Sequence, residues 1–377
     1  MCAWVAAPLL MGASAGSGVT PTTPGLPPAL AALLAKKWST SATLDASYGY
    51  RDNLVLSATD EERSAFARGT VDVLLMRMPL DRFDFSTSLQ AERTHFFSGR
   101  TVDHEASAWF RTELGVRPIE ALRLTMPITA YYNDRVLDVS DSEADRVVAK
   151  LKETGAMIAP TVRWAFHPDW WLEGQARGEK RYEDDRAYNS RVGEGTLRLN
   201  WSHWDWLKLE VSAAERWRDF VDRRQFSAAG RELAGTTLKF SEESEEFRAE
   251  FSGGAESNWK TSTRFMLRRY RDNGSGYFSY HERGVGQDFE WKPARWTVRA
   301  GATAYRVNYD VQTVGLGLNP TPRLRDEFAA DVRVDRELST QWSVFAAYKW
   351  ERWRSNDRIA SYVMNEGLLG LRRSWEK

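Results

Sequence analysis

The chain has almost no cysteine, no long apolar run and no excess of either charge. Its single cysteine, Cys2, excludes a disulfide framework and a cysteine-built zinc site. No stretch of about 18 consecutive apolar residues occurs, which excludes a helical membrane span. Lysine plus arginine number 52, and so do aspartate plus glutamate, so no electrostatic case for a nucleic-acid partner follows. There is no phosphate-binding glycine loop and no HExxH zinc motif, and no residue pattern calls for a metal or a cofactor. None of these absences excludes a membrane β-barrel, whose inward residues are polar and interrupt every apolar run.

What the chain does have is an aromatic load and a period of two. It carries 17 Trp, 17 Phe and 13 Tyr. The unit that repeats is clearest over Ile158–Glu179. Ile158, Pro160, Val162, Trp164 and Phe166 alternate with Ala159, Thr161, Arg163 and Ala165. After His167-Pro168-Asp169, Trp170, Leu172, Gly174 and Ala176 alternate with Trp171, Glu173, Gln175 and Arg177. Alternate side chains of a strand point to opposite faces, and proline cannot continue a ladder, so this reads as a hairpin with one apolar face and one polar face. The same plan recurs from Trp38 to Trp375. Over Leu238–Phe251 the phase slips, since Leu238 and Phe240 are even and Phe247, Ala249 and Phe251 are odd. A bulge accounts for the slip, with a loop at Glu242–Glu246 as the alternative.

Residues 1–18 end in small residues after an apolar run, which suits a secretory signal peptide that lacks its basic start. Cys2 precedes that run, the wrong place for a lipidated cysteine. Residues 19–37 read as a Pro/Thr-rich linker, with a short helix expected over Ala29–Trp38. The remaining residues, 38–377, give about sixteen strands whose connections alternate between short and long. The expected fold is all-β: a single closed antiparallel transmembrane β-barrel with short periplasmic turns and longer external loops. A sheet with an outward apolar face and nothing to cover it is stable in lipid when it closes on itself. Trp164, Trp170, Trp201, Trp206, Trp259, Trp291, Trp296 and Trp342 lie beside short turns. Tyr48, Tyr50, Phe96, Tyr131, Tyr132, Trp217, Tyr270, Tyr277 and Trp350 lie near the other strand ends. Two such levels are expected of membrane-interface girdles.

With these features the chain resembles a Gram-negative outer-membrane β-barrel of the porin-like class. The most specific stretch is the last strand, where Gly367, Leu369, Leu371 and Trp375 are similar to the C-terminal signal read by the barrel-insertion machinery. Glu376 and Lys377 after the aromatic depart from the usual pattern. The resemblance implies localisation in the outer membrane and contact with outer-membrane lipid. In general porins the third external loop folds inward. Here that segment is Asn133–Gly155, which fits either a helix capped by Ser140 or an extension of the next strand, and the acidic-glycine signature of constriction loops is absent.

The alternation assigns the lumen-facing candidates: Arg111, Glu113, Arg123, Arg163, Glu173, Arg177, Lys208, Glu210, Lys260, Arg264, Arg299, Asp331, Arg333 and Lys349. Such residues either set the selectivity of an aqueous channel or pair across strands as a solvated wall. The leading function is a passive conduit for small polar solutes or a secreted polymer such as polysaccharide, the latter resting on Trp109, Trp171 and Trp353 as rings that could face sugars. Two alternatives stand beside it. One is a non-conducting barrel that anchors or assembles surface material. The other is a barrel hydrolase using His95 and His104 at the external rim, with Glu92, Asp103 and Glu105 nearby.

Overall fold

A computed structural model of the chain describes residues 38–58, 61–77, 82–138, 148–253, 257–315, 318–357 and 360–376. The expected signal peptide, the linker with its short helix before Trp38, and the capped helix at Ser140 lie outside those residues. The strands are β1 (Trp38–Arg51), β2 (Ser64–Arg77), β3 (Phe83–Phe96), β4 (His104–Ile119), β5 (Leu122–Asp138), β6 (Val148–Ile158), β7 (Thr161–His167), β8 (Trp170–Glu183) and β9 (Ser190–Trp204). They continue as β10 (Leu207–Phe226), β11 (Glu232–Ser252), β12 (Trp259–Asp272), β13 (Tyr280–Trp291), β14 (Trp296–Val314), β15 (Thr321–Glu337), β16 (Trp342–Ser355) and β17 (Tyr362–Glu376). A 3-10 turn, Arg186–Tyr188, lies between β8 and β9.

Apart from β6 and β7, each strand pairs antiparallel with its sequence neighbours, and β1 pairs with β17 from Ser41–Glu376 to Arg51–Glu366, which closes the sheet. Seventeen strands make sixteen crossings because β6 and β7 are one strand with a gap. Both pair with β5 and β8 in unbroken register, Ile128 opposite Ile158 and Thr125 opposite Thr161. The gap falls at Ala159-Pro160, where proline has no N–H to give. The flanking bonds persist: Ala159 N–H donates to the Pro127 carbonyl and Ala176 N–H to that of Pro160, both at 3.0 Å.

Closure puts one face of every strand outside. Leu44, Val71, Leu89, Phe110, Ile128, Val162, Val211, Phe265 and Leu371 are exposed there, and Leu369 keeps 68% of its surface. The opposite face is concave, as ion pairs between non-adjacent strands require. Arg51 on β1 reaches Glu105 on β4 at 3.0 Å, and Arg333 on β15 reaches Asp45 on β1 at 3.6 Å. The outer apolar face and the inner charged face are thus the reverse of a water-soluble protein, and lipid is the solvent that fits.

Beyond the bilayer the pattern inverts, and this corrects two sequence readings. β11 runs through Lys239–Phe251 without a bulge, in continuous register with β10 from Asp219–Lys239 to Leu207–Phe251. Phe247 and Phe251 point outward. Leu238 and Phe240 point inward and pack with Phe220, Tyr277 and Phe278. The irregularities lie instead at the long-loop end of the pair, between Asp219 and Phe226 of β10 and between Glu232 and Lys239 of β11. Likewise Phe96, Tyr131, Tyr270 and Tyr277 do not join an outer belt. Phe96 packs inward with Leu54, Phe66, Val102 and Val136, and Tyr131 bonds to Glu153 and Glu179. The cause is a change of solvent. Strands of up to 21 residues exceed the 9–11 or so that cross a bilayer, so their long-loop ends stand in water and bury apolar side chains on the inside.

Inward rings also need inward glycines. The Phe345 ring lies flat across Gly370, and Tyr131 across Gly155, where a Cβ would overlap the ring. A Cβ at Gly195 would meet nothing within 4 Å. Gly370→Val is therefore expected to cost about 1–3 kcal/mol of stability from overpacking. Gly195→Val should leave stability within about 0.5 kcal/mol. Urea unfolding of the refolded barrels, followed by the heat-modifiable gel shift, measures both. Equal midpoints would show that the ring does not depend on the glycine.

Candidate functional site: the barrel interior

All fourteen lumen-facing candidates sit on the concave face, by their register with Asp45, Arg51 and Glu366 around the sheet. Most are engaged in pairs. Arg111 meets Glu113 at 2.7 Å, and Glu173 meets Arg198 at 2.7 Å. Arg123 crosses an intervening strand to Asp84 at 3.0 Å, a path left open by Gly115 of β4. Lys208 lies 3.6 Å from Glu250, Lys260 lies 3.8 Å from Glu290, and Lys349 lies 3.3 Å from Glu351 and opposite Asp331. Arg163 packs its guanidinium over the Trp171 ring at 4.4 Å. Arg264 faces Arg248 and Gly286, and Glu210 is opposite Arg248.

These pairs join into belts. At the short-turn end, Arg372, Asp45, Arg333, Asp335, Arg299 and Glu290 form one chain of contacts, with steps of 2.6, 3.6, 2.9, 3.6 and 2.9 Å. Around β5 to β10, Glu179 accepts from Tyr131 and Arg181, each at 2.6 Å, and from Arg177, which also reaches Glu194 at 3.5 Å. Nearer the long loops, Arg51 and Arg68 share Glu366 at 2.6 and 2.8 Å. Glu179, Arg181, Glu194, Arg51, Arg68 and Glu366 were absent from the sequence selection. Their signal was present, since Glu179 and Arg181 simply continue the odd positions Glu173 and Arg177.

Among the described residues no element crosses this space: backbones approach one another only between sheet neighbours and at the 3-10 turn beside β8 and β10, while side chains such as Arg51 and Arg123 reach past an adjacent strand. The third external loop extends as paired strands, Asp138 opposite Val148 down to Ile128 opposite Ile158, so over these residues it follows the strand-extension reading and not an inward fold. The entrance at the long-loop end is edged by the two inward apolar clusters, around Phe66 and around Phe278. In the second, Arg223 lies over the rings of Tyr188, Phe220 and Phe278 at 4.9, 5.2 and 5.3 Å. Burial, and then the nearby charges of Asp185, Glu183 and Glu232, lift the Tyr188 hydroxyl above its ordinary pKa.

The histidine constellation assembles only in part: His95, His104 and Asp103 come together, and Glu92 and Glu105 do not join them. His95 and His104 are register partners on the outer face, where His104 contacts Asp103 at 2.8 Å and Asp134 at 3.3 Å. Glu92 and Glu105 point to the inner face and bond Arg68 and Arg51 there. Period-two geometry separates what sequence proximity suggested. The eight short-turn tryptophans all lie on the outer side; seven are exposed and Trp201 is half-buried against Trp170 and Trp204. Gly367, Leu369, Leu371 and Trp375 lie on the outer face of the closing strand, with Arg373 over the Trp375 ring at 4.8 Å.

Removing one partner from the belt is expected to destabilise it. Glu179, whose side chain is 1% exposed, loses the charge held by two arginines in Glu179→Gln, a cost of about 3 kcal/mol. Glu246→Gln, which touches only the more exposed Arg248, should cost about 1 kcal/mol or less. Urea midpoints compare the two, and equal losses would mean that the belt is not cooperative.

No protein-family model and no curated relative matches the chain. Solved structures do, as architecture. OccAB3 of Acinetobacter baumannii is 10% identical, with TM-score 0.49 over 90% of this chain and 99% of that one. OmpTdeltaL8, a loop-deletion mutant of an outer membrane protein of Vibrio cholerae, is 12% identical, with TM-score 0.46 over 90% and 100%. OpdO of Pseudomonas aeruginosa is 13% identical, with TM-score 0.45 over 90% and 97%. The closed antiparallel barrel of sixteen crossings is given by the chain's own sheet.

Proposed function

We propose that this protein is an outer-membrane channel, a passive conduit for small polar solutes or a secreted polymer. The observation that carries the reading is the interior. A closed sheet of sixteen crossings encloses a wall of charged side chains, and no described element passes through it. Barrels of about this strand number leave an aqueous channel. The charges alternate in sign along the belts, so the wall is wettable without favouring one ion.

The aromatic residues favour small solutes over a polymer. Trp109, Trp171 and Trp353 all face inward, as a sugar track needs. Yet each has one ring face already covered: Trp109 by Tyr131 at 4.7 Å, Trp171 by Arg163 at 4.4 Å and Trp353 by Arg325 at 4.4 Å. A saccharide would stack on the remaining faces only.

Single-channel recording in planar bilayers tests the reading. The refolded protein is expected to give stable steps on the order of a nanosiemens with no strong preference between K+ and Cl−. Heat-modifiable, folded protein without conductance would overturn it and favour a barrel that anchors surface material, with the two apolar clusters at the entrance meeting as a seal.

A further inference from the structure

The outer wall carries a second unexplained set of charges. On β12, β13, β14 and β16, the first outward side chain beyond the apolar band is an arginine. Arg269 follows Leu267, Arg283 precedes Val285, Arg306 follows Ala304, and Arg352 follows Trp350. Across the sheet Arg283 stands directly opposite Arg306, and Arg354 opposite Asp326. Like charges in directly opposed positions repel. Four carboxylates share this sector: Asp326, Glu243 opposite Arg269, Glu245 opposite Leu267, and Asp310. Asp326 takes Arg306 through two bonds at 2.7 and 3.2 Å, and Glu243 takes Arg271 at 3.3 Å. His281, opposite Arg269, adds no negative charge and lies 3.6 Å from Asp310. Among the described residues, Arg269, Arg283 and Arg354 have no carboxylate at ion-pair distance.

The other end of the wall treats its arginines differently. There Arg336 lies over Trp296 at 5.1 Å, and Arg373 lies between Trp342 and Trp375 at 5.2 and 4.8 Å. Those cations are stacked on interface rings. Arg269, Arg283 and Arg354 are stacked on no ring among the described residues and sit where an apolar band gives way to polar side chains, the level of lipid headgroups. Guanidinium groups bind phosphate oxygens in bidentate fashion, and juxtamembrane cations attract anionic lipid.

We propose that Arg269, Arg283 and Arg354, with Arg306 held by Asp326, form a binding strip for the phosphate groups of an anionic lipid in the leaflet at the long-loop end. The lipid anion separates the opposed guanidinium groups and anchors the barrel's depth and rotation. The proposal rests on the outer wall facing lipid, and it is independent of whether the lumen conducts.

Native mass spectrometry of the refolded protein in a neutral detergent tests it, with dioleoyl phosphatidic acid, dioleoyl phosphatidylcholine and inorganic phosphate as separate titrants. Phosphatidic acid is expected to bind about tenfold tighter than phosphatidylcholine, and the triple variant Arg269→Gln, Arg283→Gln, Arg354→Gln to lose that preference. The variant keeps the Arg306–Asp326 pair, and its heat-modifiable gel shift verifies folding. Equal affinity for the two lipids, or an unchanged preference in the folded variant, would overturn the proposal. Inorganic phosphate displacing phosphatidic acid at similar concentration would also overturn it, since the strip would then hold a free anion and not a lipid.

Discussion

The pairing of β1 with β17 is the constraint on which the rest depends. In a bilayer an unpaired backbone N–H or C=O has no water to turn to, so an open sheet edge is costly. Closure from Ser41–Glu376 to Arg51–Glu366 removes both edges at once. It also divides space. Once the sheet is closed, every even or odd position on a strand is committed to lipid or to the interior. One closing strand thereby determines where each charge of the chain resides, including Asp45 and Arg372, which meet across the seam at 2.6 Å.

The interior shows how a charged wall is held together. Several of its ion pairs share a carboxylate. Glu179, Glu366 and Asp45 each take two arginines, and Glu179 also accepts a hydrogen bond from Tyr131. A shared carboxylate restrains several long side chains at once, so the rotamer entropy lost per contact falls. Glycines complete the arrangement by letting rings and Asp84 lie flat against the wall.

The bilayer boundary can be read from where apolar residues change sides. On β10, Val211 faces out and Phe220 faces in; on β11, Phe247 faces out and Phe240 faces in. On β2, Val71 faces out and Phe66 is fully buried inside. The same inversion on neighbouring strands locates one plane. Below it the solvent outside is lipid, and above it the solvent outside is water. The arginines of β12 to β16 sit at that plane, which is why their position speaks of headgroups and not of core or loop.

Sequence alone determined the fold class, the strand phases and the inward assignment of residues such as Arg123 and Lys349, because period two is a local property of the backbone. It also marked some of the short turns by their prolines, His167-Pro168-Asp169 among them. What it could not determine was the partnering. That Arg51 meets Glu105 and Glu366, 54 and 315 positions away, follows from closure and stagger. The apparent slip at Leu238–Phe251 had the same origin: the pattern changed because the solvent changed, and no local residue records where a bilayer ends. The grouping of His95 with Glu92 and Glu105 failed for the opposite reason, since nearness in sequence is separation in a strand. Alternation belongs to the chain, and contact across the barrel belongs to the tertiary structure, because only a closed sheet brings distant strands onto one concave wall.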